Sequence, residues 1–460
     1  MKKRFTSLFL ALALLSVPAT IPASAAPAAS EAQVVSTEAP VVRDPAAEIA
    51  PSDNAGRGGY QTCGRRLFSY LYQRGDGNIT RMALFGREVI EVYDRNFQLL
   101  ASTKFPGEKG FTLGGFFHGE HYNFAVYGKD NPSQSDSQEV VRVVKYSLNW
   151  ERLGQASLLG ANTTRPFHSG SLRCAEYNGV LYIRTCHEMY RSEDGKNHQA
   201  SMMLAVRQSD MEIIDARYSI GGGGGYTSHS FNQFVITNEN GMMATLDHCD
   251  SYPRAAVLQL FDLNASGGRL DTCASVNLQE FPGQRGVNNT YASIGGLGES
   301  STHYLAVGNL GAAGRESRDV YLYAVDKSSF QGYGAASVKS VKLAGSADKV
   351  GTTSTPQLVK ITDDRFLVLW NVIKWQSKYF MYVNDGTLAY TFVDGRGNQI
   401  GEVHAVKGFV SDCQPIVIDG KAVWYSGAVL CSYEHDPTFY TIDGATGAFT
   451  STVAKNGAGA

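Results

Sequence analysis

FHSGSLRCAEYNGVLYIRTCHEMY (167–190) and SHSFNQFVITNENGMMATLDHCDSYPR (228–254) are one pattern written twice. In the first, His168 and Ser169 precede an Asn178-Gly179 turn, a β-rich run and His187. In the second, His229 and Ser230 precede an Asn240-Gly241 turn, a β-rich run and His248. Both histidine pairs are 19 positions apart, and Ser169 and Ser230 are 61 apart. Asn-Gly between alternating apolar runs is the mark of a tight β-hairpin. A hairpin that recurs at this period points to stacked modules rather than one irregular core.

Working outward, a hydroxyl residue near the start of a first strand recurs at Thr112, Ser169, Ser230, Ser293, Ser354 and Ser411. The spacings are 57, 61, 63, 61 and 57. Ser230, Ser354 and Ser411 open a Ser-x-x-Gln, whereas Thr112 and Ser293 open Leu-Gly-Gly and Ile-Gly-Gly. An Asp closes the third strand of most units: Asp94, Asp262, Asp326, Asp394 and Asp443. Aspartate there bonds its own backbone two residues on, which explains the choice without a function. The serines lack any Gly-x-Ser-x-Gly surround, so they are read as satisfying backbone groups rather than as nucleophiles.

Four short strands per unit, repeated in this way, predict an all-β chain folded as a β-propeller of four-stranded blades. The count is seven, from about Gly59 to Val453, with six or eight blades as the alternatives. The resemblance is to β-propellers in general. The chain lacks the Gly-His and Trp-Asp marks of WD40 blades and the paired glycines of kelch. A pair of β-sandwiches would not explain six evenly spaced landmarks. The 49 glycines and 46 Tyr and Phe residues suit such a fold.

The ends carry other signals. Lys2, Lys3 and Arg4, the apolar run Leu8–Val17 and Ala23-Ser24-Ala25 read as a secretory signal peptide over residues 1–25. Residues 26–58 read as an Ala/Pro-rich disordered spacer, 59–453 as the propeller and 454–460 as a flexible tail. The expected location is therefore secreted or extracellular, with no membrane insertion after cleavage. A net charge of −2 gives no electrostatic case for nucleic acid. Of seven cysteines, Cys186 and Cys249 hold nearly equivalent places in adjacent units and are candidates for a disulfide in an oxidising compartment.

Propeller geometry gives the histidines a meaning. A residue at the start of a first strand and one at the end of a second both lie at the top of the ring. His168, His187, His229 and His248 are thus expected to converge there, with Tyr252 and Arg254 close by. As a catalytic set, a His or Tyr would move a proton while Arg254 neutralises a substrate carboxylate. In architecture and residue types this resembles propeller polysaccharide lyases, which implies β-elimination in a uronate polymer. As a metal set, the four histidines with Asp247 and Asp250 would hold a divalent ion. The alternative is a non-catalytic propeller that binds an extracellular glycan or a surface protein. Equivalent histidines that merely lock adjacent blades are the structural counterpart of all these readings.

Overall fold

A computed structural model describes residues 64–84, 88–219, 227–228, 230–312, 317–344, 351–376, 381–427 and 436–454, the side chains of 375–376 and 381–383 excepted. The chain divides into two units, Met1–Arg43 and Asp44–Ala460, and everything described belongs to the second unit. That unit is a seven-bladed β-propeller: seven antiparallel sheets, each built on a four-stranded meander in chain order, with a fifth short strand added in blades three and six. Blade one begins with Ser69–Gln73 and blade seven ends with Phe449–Val453. Here the top is the face on which the first, innermost strands begin.

Alternation along each strand sends apolar side chains into the spaces between blades. Buried clusters fill every such space. One joins Met82 and Ile90 of blade one to Phe116 and Val144 of blade two. Another joins Tyr182 and Met203 of blade three to Met243 and Phe261 of blade four. The glycine pairs are where a neighbouring blade comes closest. A Cβ on Gly295 would lie 1.5 Å from the Pro356 carbonyl oxygen, and one on Gly114 would lie 2.5 Å from the Phe167 ring. The two recurring landmarks have the local roles expected of them. Asp94 and Asp394 each accept from backbone amides two and four residues on. Ser411 donates to the Tyr425 carbonyl, and Ser354 accepts from the Asn371 amide.

Blade seven meets blade one by face packing. Each is complete within its own stretch of chain. Phe97 stacks on Phe439 with centroids 4.4 Å apart, and Tyr425 donates to the Met82 carbonyl at 2.6 Å. Leu71, Ile79 and Tyr93 join the same buried cluster as Val423 and Trp424. Burial of side chains of this size contributes roughly 1.5–3 kcal/mol each, so the cluster closes the ring without strand exchange.

The chain reaches blade one by crossing the central channel. Gly64 sits against the Phe231 carbonyl of blade four, so close that a Cβ would come to 1.7 Å. The Arg66 guanidinium donates to the Leu113 carbonyl of blade two, and the Phe68 amide donates to Asp412 Oδ2 beside blade seven at 2.8 Å. Below this crossing a channel space of about 630 Å³ opens, lined by residues such as Tyr72, His118, Val235 and Lys360.

Asp412 has a cost. It is buried, and among the described residues its Oδ1 has no hydrogen-bond partner. Burial pushes its carboxyl up to about 6. A folded-state value above the ordinary one means a contribution present below about 3.8 and lost as pH rises through 6. Asp412→Asn keeps an acceptor for Phe68 and removes the charge. It is expected to raise stability by about 2–3 kcal/mol at pH 8 and by little at pH 4. Urea denaturation at the two pH values checks this; a less stable variant at pH 8 would refute it.

Candidate functional site

A cavity of about 810 Å³ opens on the top face where blades three and four meet. One wall is the blade-three hairpin, with Glu188, Lys196, Asn197, His198 and Gln199. His168 and Ser169 lie in the segment leading to the first strand of that blade. Ser228, Ser251 and Tyr252 come from blade four, and Gly286 and Asn288 from the connection that follows it.

His168 is held from several sides. Its neighbours Phe167 and Ser169 both adopt positive φ, 60° and 63°. This turns the backbone so that the His168 carbonyl accepts from Cys186 Sγ at 3.0 Å and from Gln199 Nε2 at 3.2 Å. The same Gln199 nitrogen lies 2.7 Å from His168 Nδ1. An amide that donates to the carbonyl donates to Nδ1 as well. This network assigns the tautomer with the proton on Nε2. Burial lowers the imidazole pKa below its ordinary value, and Glu188, with Oε2 3.7 Å from Nδ1, opposes that shift. His168 is thus a neutral ring that offers Nε2–H to the cavity.

Tyr252 supplies the aromatic surface. It is 61% exposed, and the Arg285 guanidinium lies 5.3 Å from its ring centroid. Its position is set by backbone contacts: its amide donates to Ser228 Oγ at 2.8 Å, and its carbonyl accepts from the Ser228 amide. On the opposite wall, His198 Nε2 bonds Asp194 Oδ2 at 2.9 Å. The Ser192 hydroxyl and the Lys196 amide hold the Asp194 carboxyl down to about 2.

The other residues singled out from sequence are placed elsewhere. His187 is fully buried, with Nδ1 2.7 Å from Thr163 Oγ1. That hydroxyl donates to the Ala161 carbonyl, so it accepts from the imidazole. His248 is buried between the edges of Phe231 and Phe281, with Nε2 2.7 Å from Thr290 Oγ1. Burial drives both imidazoles down to about 3. Convergence of the histidines is therefore corrected: two of them pack in separate interior pockets. His229 lies outside the described residues. Strand alternation explains the outcome, since His187 and Glu188 point to opposite faces and the cavity receives Glu188.

Arg254 is also corrected. Its guanidinium donates to four backbone carbonyls, those of Asp250, Pro282, Val287 and Asn289, at 2.7–3.0 Å. It ties down the loop after blade four and has no remaining geometry for a substrate carboxylate. Asp247 is fully buried and takes a two-point contact from Arg184, Nε–Oδ1 3.1 Å and Nη2–Oδ2 2.7 Å. Asp250 is buried under the same loop. Among the described residues no three His, Cys, Asp or Glu side chains are grouped to hold a metal ion. The divalent-metal set is thus not assembled from His168, His187, His248, Asp247 and Asp250. Cys186 and Cys249 are both buried thiols with no disulfide between them, so the suggested bridge is not formed.

Sequence reading missed Lys196, Asn197, His198 and Gln199. Lys196 ends the turn and Asn197, His198 and Gln199 begin the third strand of blade three, and no other unit repeats them. Their only signal was the polar run Asn197-His198-Gln199 next to a hairpin tip.

No protein-family model and no curated protein matches this chain. Solved structures of similar fold include BamB from Moraxella catarrhalis, at 10% identity and TM-score 0.38 over 83% of this chain and 90% of that one. An α-L-arabinanase from Penicillium chrysogenum, complexed with arabinobiose, has 13% identity and TM-score 0.40 over 83% and 94%. The hemagglutinin-neuraminidase of parainfluenza virus 5 has 7% identity and TM-score 0.38 over 76% and 95%. At this distance they are similar in fold alone, and the seven blades stand on their own strand pairing.

Proposed function

We propose that this protein recognises carbohydrate in the top-face cavity between blades three and four, as a binding propeller rather than as a lyase. The observation that carries the reading is the Gln199 bond to both the carbonyl and Nδ1 of His168. It makes the ring a fixed hydrogen-bond donor at Nε2 and takes Nδ1 out of use as a base. With Arg254 engaged by the backbone, uronate elimination also lacks the cation assigned to it.

The lining fits sugar hydroxyls, which both donate and accept. Asn288 does both, Glu188 accepts, Lys196 and His168 donate, and Asn197, whose amide nitrogen donates to Thr164 Oγ1 and the Met189 carbonyl, offers its oxygen. Tyr252 offers an apolar face to the C–H side of a sugar ring with its own hydroxyl at the edge. Exported behind the leader read over residues 1–25, the protein would meet its glycan outside the cell.

The test is calorimetric titration of the full chain with polygalacturonate, alginate, hyaluronate, arabinan and xylan. At least one polymer is expected to bind. Tyr252→Ala and His168→Ala are each expected to weaken that binding roughly tenfold, about 1.4 kcal/mol. A rise in ultraviolet absorbance from unsaturated uronate ends would restore the lyase reading. Failure of all five polymers to bind would remove carbohydrate as the ligand.

A further inference from the structure

The central channel has two tiers. At the top, where the first strands begin, polar side chains bridge neighbouring blades. Ser171 Oγ donates to Asn232 Oδ1, Thr355 Oγ1 to Ser293 Oγ and Gln357 Nε2 to the Ser411 carbonyl, each at 2.7 Å. Together with the crossing chain at Leu67, this upper tier leaves a space of only about 10 Å³. That is room for about one water.

The lower tier is open and apolar. Its space of about 630 Å³ is lined from all seven blades. The turns that join first to second strands surround its lower mouth, and all of them are among the described residues. Phe117, Ile236, Leu297 and Ile416 line the space and are only half-buried. The volume falls within the roughly 300–1,000 Å³ typical of small-molecule sites. None of the residues that line it also lines the top-face cavity.

Charge in this tier has one sign. Among the described residues no Asp or Glu lines it. Arg173 lines both tiers, so it stands at the closed end of the lower one. Its guanidinium carbon lies 4.8 Å from the Phe234 ring centroid, and Nη1 donates to the Leu172 carbonyl at 3.4 Å. These contacts hold the cation against an aromatic wall. Asp412 lines the upper tier alone, with its Oδ2 held by the Phe68 amide. The remaining basic groups are at the open mouth. His118 stacks on Tyr72 with centroids 3.9 Å apart, and Lys360 Nζ lies 2.6 Å from Asp363 Oδ1. Asp363 offsets the charge of Lys360, which leaves Arg173 as the group that selects an anion.

We propose that the lower channel binds an apolar monocarboxylate, with its carboxylate at Arg173 and its hydrocarbon body among Phe117, Ile236, Leu297 and Ile416. The planar guanidinium fork matches a carboxylate, whereas an alcohol or an amine of the same length cannot use it in that way. Burial of the hydrocarbon supplies affinity, and the charge supplies orientation. From Arg173 to Tyr177, the lower end of that strand, the channel wall runs roughly 13 Å at about 3.3 Å per residue, long enough for an octyl chain. The site is independent of the carbohydrate reading.

The experiment is calorimetric titration of the full chain at neutral pH with octanoate, octanol and octylammonium. Octanoate is expected to bind at a single site, at least roughly tenfold more tightly than octanol, and octylammonium more weakly than either. Arg173→Met keeps an unbranched apolar stem and is expected to bring octanoate down to the affinity of octanol or below. Lys360→Met is expected to leave the preference for octanoate in place. Equal binding of octanoate and octanol, or tightest binding of octylammonium, would overturn the carboxylate. A preference kept in Arg173→Met and lost in Lys360→Met would overturn its placement at the closed end. No binding of any of the three would overturn the site. The three titrations on the unaltered protein decide the main point even where Arg173→Met does not fold.

Discussion

Taking the protein from pH 7 to pH 4 is expected to cost about 4 kcal/mol of stability, most of it through two histidines. His187 and His248 are buried and held neutral, with folded-state values of about 3 against an ordinary 6.5. For His248 the nearby cations Arg318 and Arg254 add to the effect of burial. A folded value below the unfolded one means that the unfolded chain takes up the proton first. The stability is therefore present above pH 6.5 and lost as pH falls toward 3. By pH 4 each imidazole accounts for about 3 kcal/mol. Asp412 has the opposite sign, with its folded value raised to about 6, and returns about 2 kcal/mol over the same range. The net loss is large against the roughly 5–15 kcal/mol of a whole fold. Urea midpoints at pH 7, 5.5 and 4 measure it. In the double variant His187→Gln, His248→Gln the slope between pH 6.5 and 4 should flatten. Gln keeps a donor for Thr163 and Thr290 but has no proton to take up. An unchanged slope would mean that other groups carry the acid response.

Breaking the Arg184–Asp247 pair on one side is expected to destabilise the protein by about 3–5 kcal/mol. The two residues lie across the interface of blades three and four, 1% and 0% exposed at the side chain. Arg184 also donates to Thr227 Oγ1 at 3.1 Å, and Asp247 accepts from Ser230 Oγ at 2.7 Å. Arg184→Met removes two charged hydrogen bonds and leaves a buried carboxylate held by the Ser230 hydroxyl. Replacing both, Arg184→Met with Asp247→Leu, removes the orphaned charge and should recover more than half of the loss. A denaturant double-mutant cycle gives the coupling. Near-zero coupling would show that the pair does not join the blades. The same experiment bears on metal: an Asp247 that served an ion would show its loss on chelation, whereas this one should be indifferent to chelator.

The ring was legible because its marks are local and periodic. Asn-Gly turns, a closing Asp and a hydroxyl at each first strand need no knowledge of the partner blade. The site was legible only in place. His168 and Tyr252, both singled out in the sequence, line the cavity, and Glu188 does so beside a histidine that does not. Spacing along a strand says how high a residue sits, but a shift of one position decides which face it occupies. His187, paired with Ala200, lies on the blade-two side of its strand beside Thr163, whereas His248, paired with Ala256, lies on the blade-five side of its own beside Thr290. Nothing local marked Arg184 as the partner of Asp247, since the two are 63 positions apart and meet across a blade interface. The long hairpin of blade six was hidden for another reason. Asn371 reads as a strand end, yet its side chain bonds the Thr387 and Gly408 carbonyls and the strand continues to Gln376.

Hydrogen–deuterium exchange of the full chain, with and without the polysaccharide that binds, tests the central claim most directly. Protection is expected in peptides covering 164–170, 188–199, 250–254 and 284–289, all at the top-face cavity. Protection confined to the lower channel mouth, around Tyr72, His118 and Lys360, with the top face unchanged, would contradict it.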